Sequence, residues 1–251
     1  MRLTRIFVDA PLHTDAAVRL PQGAAQHVVK VLRLQAGASL TVFNGHGGEF
    51  EARLEAVQRD AVTLRIGAHQ ALERESPLQV TLLQGIARGE KMDLILQKAT
   101  ELGINAVTPL LTARSSVRLD EAGALRKQAH WQAVVAGACE QSGRNRIPAV
   151  GLPMGFAQGI AVGHAPLKLL LAPDAAAGTL KTLLAVAAGN GAAASSICLL
   201  AGPEGGFDAL EVQAATTAGF QPCRLGPRIL RTETAALAAL AALQTLVGDL
   251  T

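Results

Sequence analysis

Cysteine is scarce: three residues, Cys139, Cys198 and Cys223, lie far apart in a chain of 251. They make no CxxC pair and no zinc-ligand spacing, so a reduced compartment is expected and a disulfide framework is not. The six histidines are equally scattered, with no HExxH or similar pair, and the expectation is an enzyme without a metal. Long apolar runs are missing too. Hydrophobic residues reach 49% of the chain, yet none of their runs attains the roughly 20 residues of a membrane-spanning helix. The Ala/Leu stretch near the C-terminus comes nearest, and Glu233 and Gln244 interrupt it. Met1-Arg2-Leu3-Thr4-Arg5 leads into a strand-like run rather than the apolar core of a signal peptide, so a cytoplasmic location is expected. No GxxxxGK[ST] loop occurs, which excludes a P-loop enzyme. Charged residues are only 17% and the net charge only +3, which excludes a histone-like polycation but leaves room for local basic patches on a nucleic-acid binder.

Such patches are present: Arg88 with Lys91, Arg114 with Arg118, Arg144 with Arg146, and Arg224 with Arg228 and Arg231. Clustered arginines also make ordinary solvated faces, so charge alone leaves the partner open. The 49% apolar content predicts a sizeable buried core.

Residues 1–72 read as a small β-rich domain. Residues 5–8 and 39–43 are short strands, and Asn44-Gly45-His46-Gly47-Gly48 is dense turn chemistry. Apolar residues alternate at Phe50, Ala52, Leu54 and Ala56, and again at Val62, Leu64 and Ile66, across a polar turn at Arg59 and Asp60. Period-two patterning with short turns predicts a small antiparallel barrel, interrupted by one helix over residues 24–32. Glu73-Arg74-Glu75-Ser76-Pro77 marks the boundary. Over residues 78–251 strand-type runs alternate with helical spacings such as Met92, Ile95, Leu96, Ala99 and Leu102, closed by Gly103. Strands are expected at 78–85, 106–110, 167–172, 197–201 and 220–225, and helices at 125–141 and 232–247. This order predicts an α/β domain built on a mostly parallel sheet.

One glycine motif misleads. Gly189-Asn190-Gly191-Ala192-Ala193-Ala194 matches G-x-G-x-x-A, but it follows a helix and precedes a strand, the reverse of the dinucleotide fold. Two other loops are informative. Gly202-Pro203-Glu204-Gly205-Gly206-Phe207 leaves a strand at Ala201, and Asp208 with Glu211 forms a capping box for the helix beyond. Leu225-Gly226-Pro227-Arg228-Ile229-Leu230-Arg231 also joins a strand to a helix. Its two arginines sit at the positive end of a helix dipole, a local conflict that an anion or an acidic partner, such as Glu233 or Glu204, would relieve. Ligands in open α/β sheets bind beyond the carboxyl ends of strands, where such loops gather.

These loops, with Thr232-Glu233-Thr234-Ala235, resemble those of the 16S ribosomal RNA uridine N3-methyltransferase family of the SPOUT superfamily. Arg5-Ile6-Phe7-Val8, His27-Val28-Val29-Lys30-Val31-Leu32-Arg33, residues 91–103 and Glu140-Gln141-Ser142-Gly143-Arg144 with Ile147-Pro148 match as well. Two departures stand out: Ala113 occupies a position where an acidic residue is common, and Arg88-Gly89-Glu90-Lys91 varies on a Lys-Gly-Asp-Lys pattern. The resemblance implies a PUA-like RNA-binding barrel, then a SPOUT domain carrying a trefoil knot. It further implies S-adenosylmethionine as methyl donor, 16S ribosomal RNA or the small ribosomal subunit as partner, and a homodimer.

The expected donor pocket comprises Leu171, Ala172, Ala201, Gly202, Pro203, Glu204, Gly205, Gly206, Leu225, Gly226, Ile229, Leu230 and Arg231. Arg231 and Arg228 are expected to stabilise a uridine anion, and Glu233 and Glu204 are the carboxylates within reach as base, although Glu204 serves equally well as a loop tether. RNA phosphates are expected at Arg5, Lys30, Arg33, Arg88, Lys91, Arg114 and Arg144, with Lys30 and Arg33 equally readable as exposed helix residues. His27 reads as a packing or capping residue. The competing readings are a SPOUT enzyme acting on a ribose 2′-hydroxyl or another base, and a non-catalytic RNA-binding assembly factor; the misplaced glycine motif speaks against a Rossmann oxidoreductase.

Overall fold

The computed structural model describes residues 4–58, 61–173, 177–189 and 195–250. The chain divides into two compact units, one made of Met1–Glu75 with Ala136–Ile147, the other of Ser76–Val135 with Pro148–Thr251.

In the first unit, β1 (Arg5–Phe7), β2 (Ala17–Arg19), β3 (Ser39–Phe43), β4 (Glu49–Gln58) and β5 (Ala61–Gln70) form one sheet in the order β1-β3-β4-β5-β2. The alternation read from sequence is the burial alternation: Phe50, Ala52, Leu54, Val62, Leu64 and Ile66 all enter one apolar core. The expectation of a purely antiparallel barrel is corrected in one pairing, because β1 runs parallel to β3. The long connection between them carries β2 and α1 (Gln22–Gln26), giving the chain the crossover that a parallel neighbour needs. The expected helix at 24–32 is α1 followed by a π-helical turn, His27–Val31, in which the Leu32 N–H donates to the His27 carbonyl at 3.0 Å. The turn at residues 59–60 lies outside the described residues.

The second unit holds β6 (Gln79–Gly85), α2 (Glu90–Glu101), β7 (Ala106–Leu111), the start of α3 (Glu121–Ser142), β8 (Ala149–Val150), β9 (Met154–Gly155), α4 (Phe156–Val162), β10 (Leu167–Leu171), β11 (Gly178–Thr179), α5 (Leu180–Gly189), β12 (Ser196–Ala201), α6 (Ala209–Thr217), β13 (Gln221–Arg224) and α7 (Thr232–Val247). Its sheet runs β11-β13-β10-β12-β6-β7-β8, with β9 also on β7, and among the described residues every strand pairing in it is parallel. Strands buried on both faces read as continuous apolar runs, as Ile197, Cys198, Leu199, Leu200 and Ala201 in β12 do. Helix α2 stops as its glycine foretold: Gly103 takes φ +83°, its N–H reaches the Thr100 carbonyl, and the Ile104 N–H reaches that of Ala99. The misleading glycine motif begins as α5 ends, and β12 follows it; its residues 190–194 lie outside the described residues. Among the described residues no helix is long and apolar enough to cross a membrane, and no three His, Cys, Asp or Glu residues gather as metal ligands.

Candidate active site

Because the sheet is parallel, the carboxyl ends of β10, β12 and β13 emerge at one edge, where ligands of open α/β sheets bind. A cavity of about 580 Å³ lies there. It is lined by Leu171 and Ala172 after β10, by Ala201, Gly202, Pro203, Glu204, Gly205 and Gly206 after β12, and by Leu225, Gly226, Arg228, Ile229, Leu230 and Arg231 after β13. Two residues read as RNA contacts, Lys91 and Arg114, line it too. The expected pocket left out Leu170, Pro173, Phe207, Val212, Cys223, Thr232 and Ala235, which line the cavity as well. Phe207 closes the first singled-out loop, and Thr232 and Ala235 follow the second, so all three were within reach of the sequence; Cys223 and Val212 are apolar lining with no chemical signature.

The turn after β12 is tight. The Gly206 N–H donates to the Pro203 carbonyl at 2.9 Å, and Gly206 has φ +66°, a conformation open to glycine at little cost. Arg114 Nη1 donates to the Gly205 carbonyl at 3.1 Å. Glu204 Oε1 accepts from the Arg88 N–H and from Lys91 Nζ, both at 3.1 Å. Partial burial pushes the Glu204 carboxyl up, but the backbone N–H groups of Glu204 and Arg88 and the Lys91 ammonium outweigh it, and its pKa falls below the ordinary value. The capping box of α6 is present: Asp208 Oδ1 accepts from the Glu211 N–H at 2.8 Å, and Glu211 Oε2 from the Asp208 N–H at 3.1 Å. Glu211 Oε1 also accepts from the Ala113 N–H at 2.7 Å, so a carboxylate from α6 serves the backbone at the position where an acidic side chain is absent.

The turn after β13 is more open. Gly226 has φ +86°, and Ile229 is 85% exposed although it lines the cavity. Arg231 is the N-cap of α7 and its side chain makes no capping bond. Arg228 and Arg231 are exposed and, among the described residues, neither pairs with a carboxylate; Glu204 pairs with Lys91 instead. Among the described residues, then, nothing relieves the conflict read from sequence, two cations at a positive helix end. Glu233, expected as a base, is not among the residues that line the cavity; it lies half-buried on α7, with Oε2 buried and, among the described residues, without a hydrogen bond.

The remaining basic residues separate into two groups. Lys30 and Arg33 are exposed on and just after the π-helical turn, and Arg88 is exposed with its Nε donating to the Ser116 hydroxyl. Arg5 and Arg144, expected at RNA phosphates, are both buried. Arg5 is buried, paired with Glu49 and donating to Asn145 Oδ1 at 2.7 Å and the Arg144 carbonyl at 3.2 Å. Arg144, 4% exposed, is paired with Glu75. Both guanidiniums are committed to internal acceptors, so as they stand they offer no fork to a phosphate.

The second unit thus presents an open parallel α/β sheet with a glycine-lined cavity at its carboxyl edge, and the first a separate small β-sheet. The chain matches the family model described as an RNA methyltransferase domain over residues 74–244 and that of an RNA methyltransferase PUA domain over residues 20–67. It is 35% identical to ribosomal RNA small subunit methyltransferase E of Bacillus subtilis over 86% of this chain and 85% of that one. It is 33% identical to the protein of the same name from Buchnera aphidicola subsp. Schizaphis graminum, over 99% and 98%. Among solved structures, a methyltransferase of Legionella pneumophila in complex with S-adenosylmethionine superposes with a TM-score of 0.91 at 38% identity, covering 99% of this chain and all of that one. Ribosomal RNA small subunit methyltransferase E of Neisseria gonorrhoeae, bound to S-adenosylmethionine, gives 0.87 at 38% identity with both chains fully covered. The chain belongs to the ribosomal RNA small subunit methyltransferase E family.

Proposed function

We propose that the chain transfers the methyl group of S-adenosylmethionine to N3 of a uridine in the decoding region of 16S ribosomal RNA, as a cytoplasmic homodimer acting on the RNA or the small subunit. The observation that carries this reading is the convergence of both glycine turns and the end of β10 on one cavity rimmed by two arginines that, among the described residues, have no carboxylate partner. The residues present suit the donor: the volume of about 580 Å³ is that of a small-molecule site, largely apolar with a few polar groups. Leu171, Ala172, Ala201, Gly202 and Gly205 with Gly206 would hold it from one side, and Leu225, Gly226, Ile229 and Leu230 from the other. When bound, S-adenosylmethionine supplies a methyl group on an electrophilic sulfonium, and no metal is required.

The protein's own task is to orient the uridine and stabilise the anion left when N3 loses its proton to solvent water. Arg231 and Arg228 are placed for the second role, since a cation at the rim favours developing negative charge. Glu204 is a tether rather than a base: a carboxylate held below its ordinary pKa and already accepting two hydrogen bonds is a weak proton acceptor. Lys91 and Arg114 at the rim, with Arg88, Lys30 and Arg33, would contact RNA phosphates and give salt-sensitive affinity.

Incubating small subunits or their RNA with the protein and S-adenosylmethionine, then digesting to nucleosides for mass spectrometry, should yield 3-methyluridine. A ribose-methylated nucleoside, another methylated base or no product at all would overturn the reading.

A further inference from the structure

We propose that Thr232 and Gln84 are positioning residues for the methyl donor, acting through the carbonyl of Gly202; this rests on the cavity being the donor site. Gly202 opens the turn after β12, and its carbonyl accepts from Thr232 Oγ1 at 2.5 Å and from Gln84 Nε2 at 3.3 Å. Gln84 Nε2 also reaches the Gly85 carbonyl at 2.9 Å and Thr232 Oγ1 at 3.1 Å. Gln84 and Thr232 are both buried. The residue after Gly202 is proline, so the peptide between them has no N–H through which its plane could be fixed. Its orientation is set from the carbonyl side, by one side chain from β6 and one from α7.

Glycine 85 completes the seat. A Cβ built there would stand 2.5 Å from Pro203 Cδ and 2.6 Å from Pro203 N, so only glycine lets the turn lie this close to the end of β6. Thr232 is the first residue of α7, and its hydroxyl goes to the Gly202 carbonyl rather than to its own helix. The turn after β13, which ends at α7, and the turn after β12 are thereby coupled through one hydroxyl. Shape of the first turn depends on placement of the second.

The test uses the intact chain. Thr232→Val keeps the side-chain shape and removes the donor; Thr232→Ser keeps the hydroxyl. Calorimetric titration with S-adenosylmethionine should show affinity about tenfold weaker for Thr232→Val, as expected for a lost buried hydrogen bond that leaves a carbonyl short of its donor. Thr232→Ser should bind within about threefold of the parent. In turnover assays KM for the donor should rise in Thr232→Val while KM for RNA stays put, a split that mere loss of stability would not produce. Donor affinity unchanged in Thr232→Val, or equally weakened in both variants, overturns the proposal. Should Thr232→Val not fold, Gln84→Met serves as the second arm, with weaker donor binding expected and unchanged binding overturning it. A parent protein that gives no heat with S-adenosylmethionine overturns the reading of the cavity itself, and this proposal with it.

Discussion

Replacing Arg5 with methionine separates two roles that a basic residue near an RNA-binding sheet can play. The Arg5 and Glu49 side chains are 6% and 10% exposed, so their ion pair lies in a medium of low dielectric. Burial pushes the Glu49 carboxyl up, but Arg5, then Arg74 and Asn145, outweigh it and hold its pKa below the ordinary value. Removing one member of a buried pair costs roughly 3–5 kcal/mol, because the other is left charged without compensation. Arg74 remains 3.2 Å from Glu49, though its side chain is 41% exposed, which favours the lower end, about 3 kcal/mol. Urea unfolding followed by circular dichroism should register that loss. The logarithm of RNA affinity plotted against that of salt concentration should keep its slope, since Glu49 and Asn145 occupy the Arg5 guanidinium. Lys30→Ala and Arg33→Ala should behave oppositely, each flattening the slope by about 0.7–0.9 with little change in stability. An Arg5→Met protein of undiminished stability with a flattened slope would refute the assignment of Arg5 to the interior.

Arg231→Ala should lower kcat by about two to three orders of magnitude, the scale set by removing one preorganised stabiliser of a developing anion, while titration still detects the donor; unchanged turnover would remove Arg231 from the chemistry. Glu140 and Glu49 should bend the pH–stability profile in opposite senses. Burial pushes the Glu140 carboxyl up, more than the Phe7 N–H and the charges of His27 and Arg5 pull it down, so its contribution is complete below the unfolded pKa and lost as pH rises through the folded one. Glu140→Gln can still accept the Phe7 N–H and should gain on the parent from acid to neutral pH in thermal melts. Glu49, with its depressed pKa, contributes above the unfolded value and loses that contribution as pH falls through the folded one, so Glu49→Gln should cost most at neutral pH and least in acid.

Much of the fold was legible because it is written in period and punctuation. Alternation located β4 and β5, helical spacing with Gly103 located α2, and Asp208 with Glu211 announced α6. Elements such as β2, β8, β9 and β11 were not, since two or three residues hold no period and are fixed by pairing alone. The trefoil knot belongs to the resemblance only, because no local pattern encodes threading. At the site, the two turns could be read because glycine and proline dictate backbone shape. Individual charges could not: Arg5 and Arg114 look alike in sequence, and only the Glu49 carboxylate and the Asn145 amide oxygen, both from residues far along the chain, turn Arg5 inward. The placement of Glu233 was not legible for a similar reason, since adjacency to Arg231 along the chain says nothing about which side of α7 it occupies.

The membership of Ala136–Ile147 in the first unit carries a consequence for synthesis and for engineering. Arg74 donates to the Gly143 carbonyl, Glu75 meets Arg144, and Asn145 joins Arg5 to the Leu72 carbonyl. A nascent chain released from the ribosome only as far as residue 75 holds the sheet but not these counterparts, so its ionised groups await a segment some sixty residues later. An excised fragment cut at the apparent boundary would be permanently in that condition. A minimal stand-alone version has to graft the later segment back on, as a fused loop or a supplied peptide.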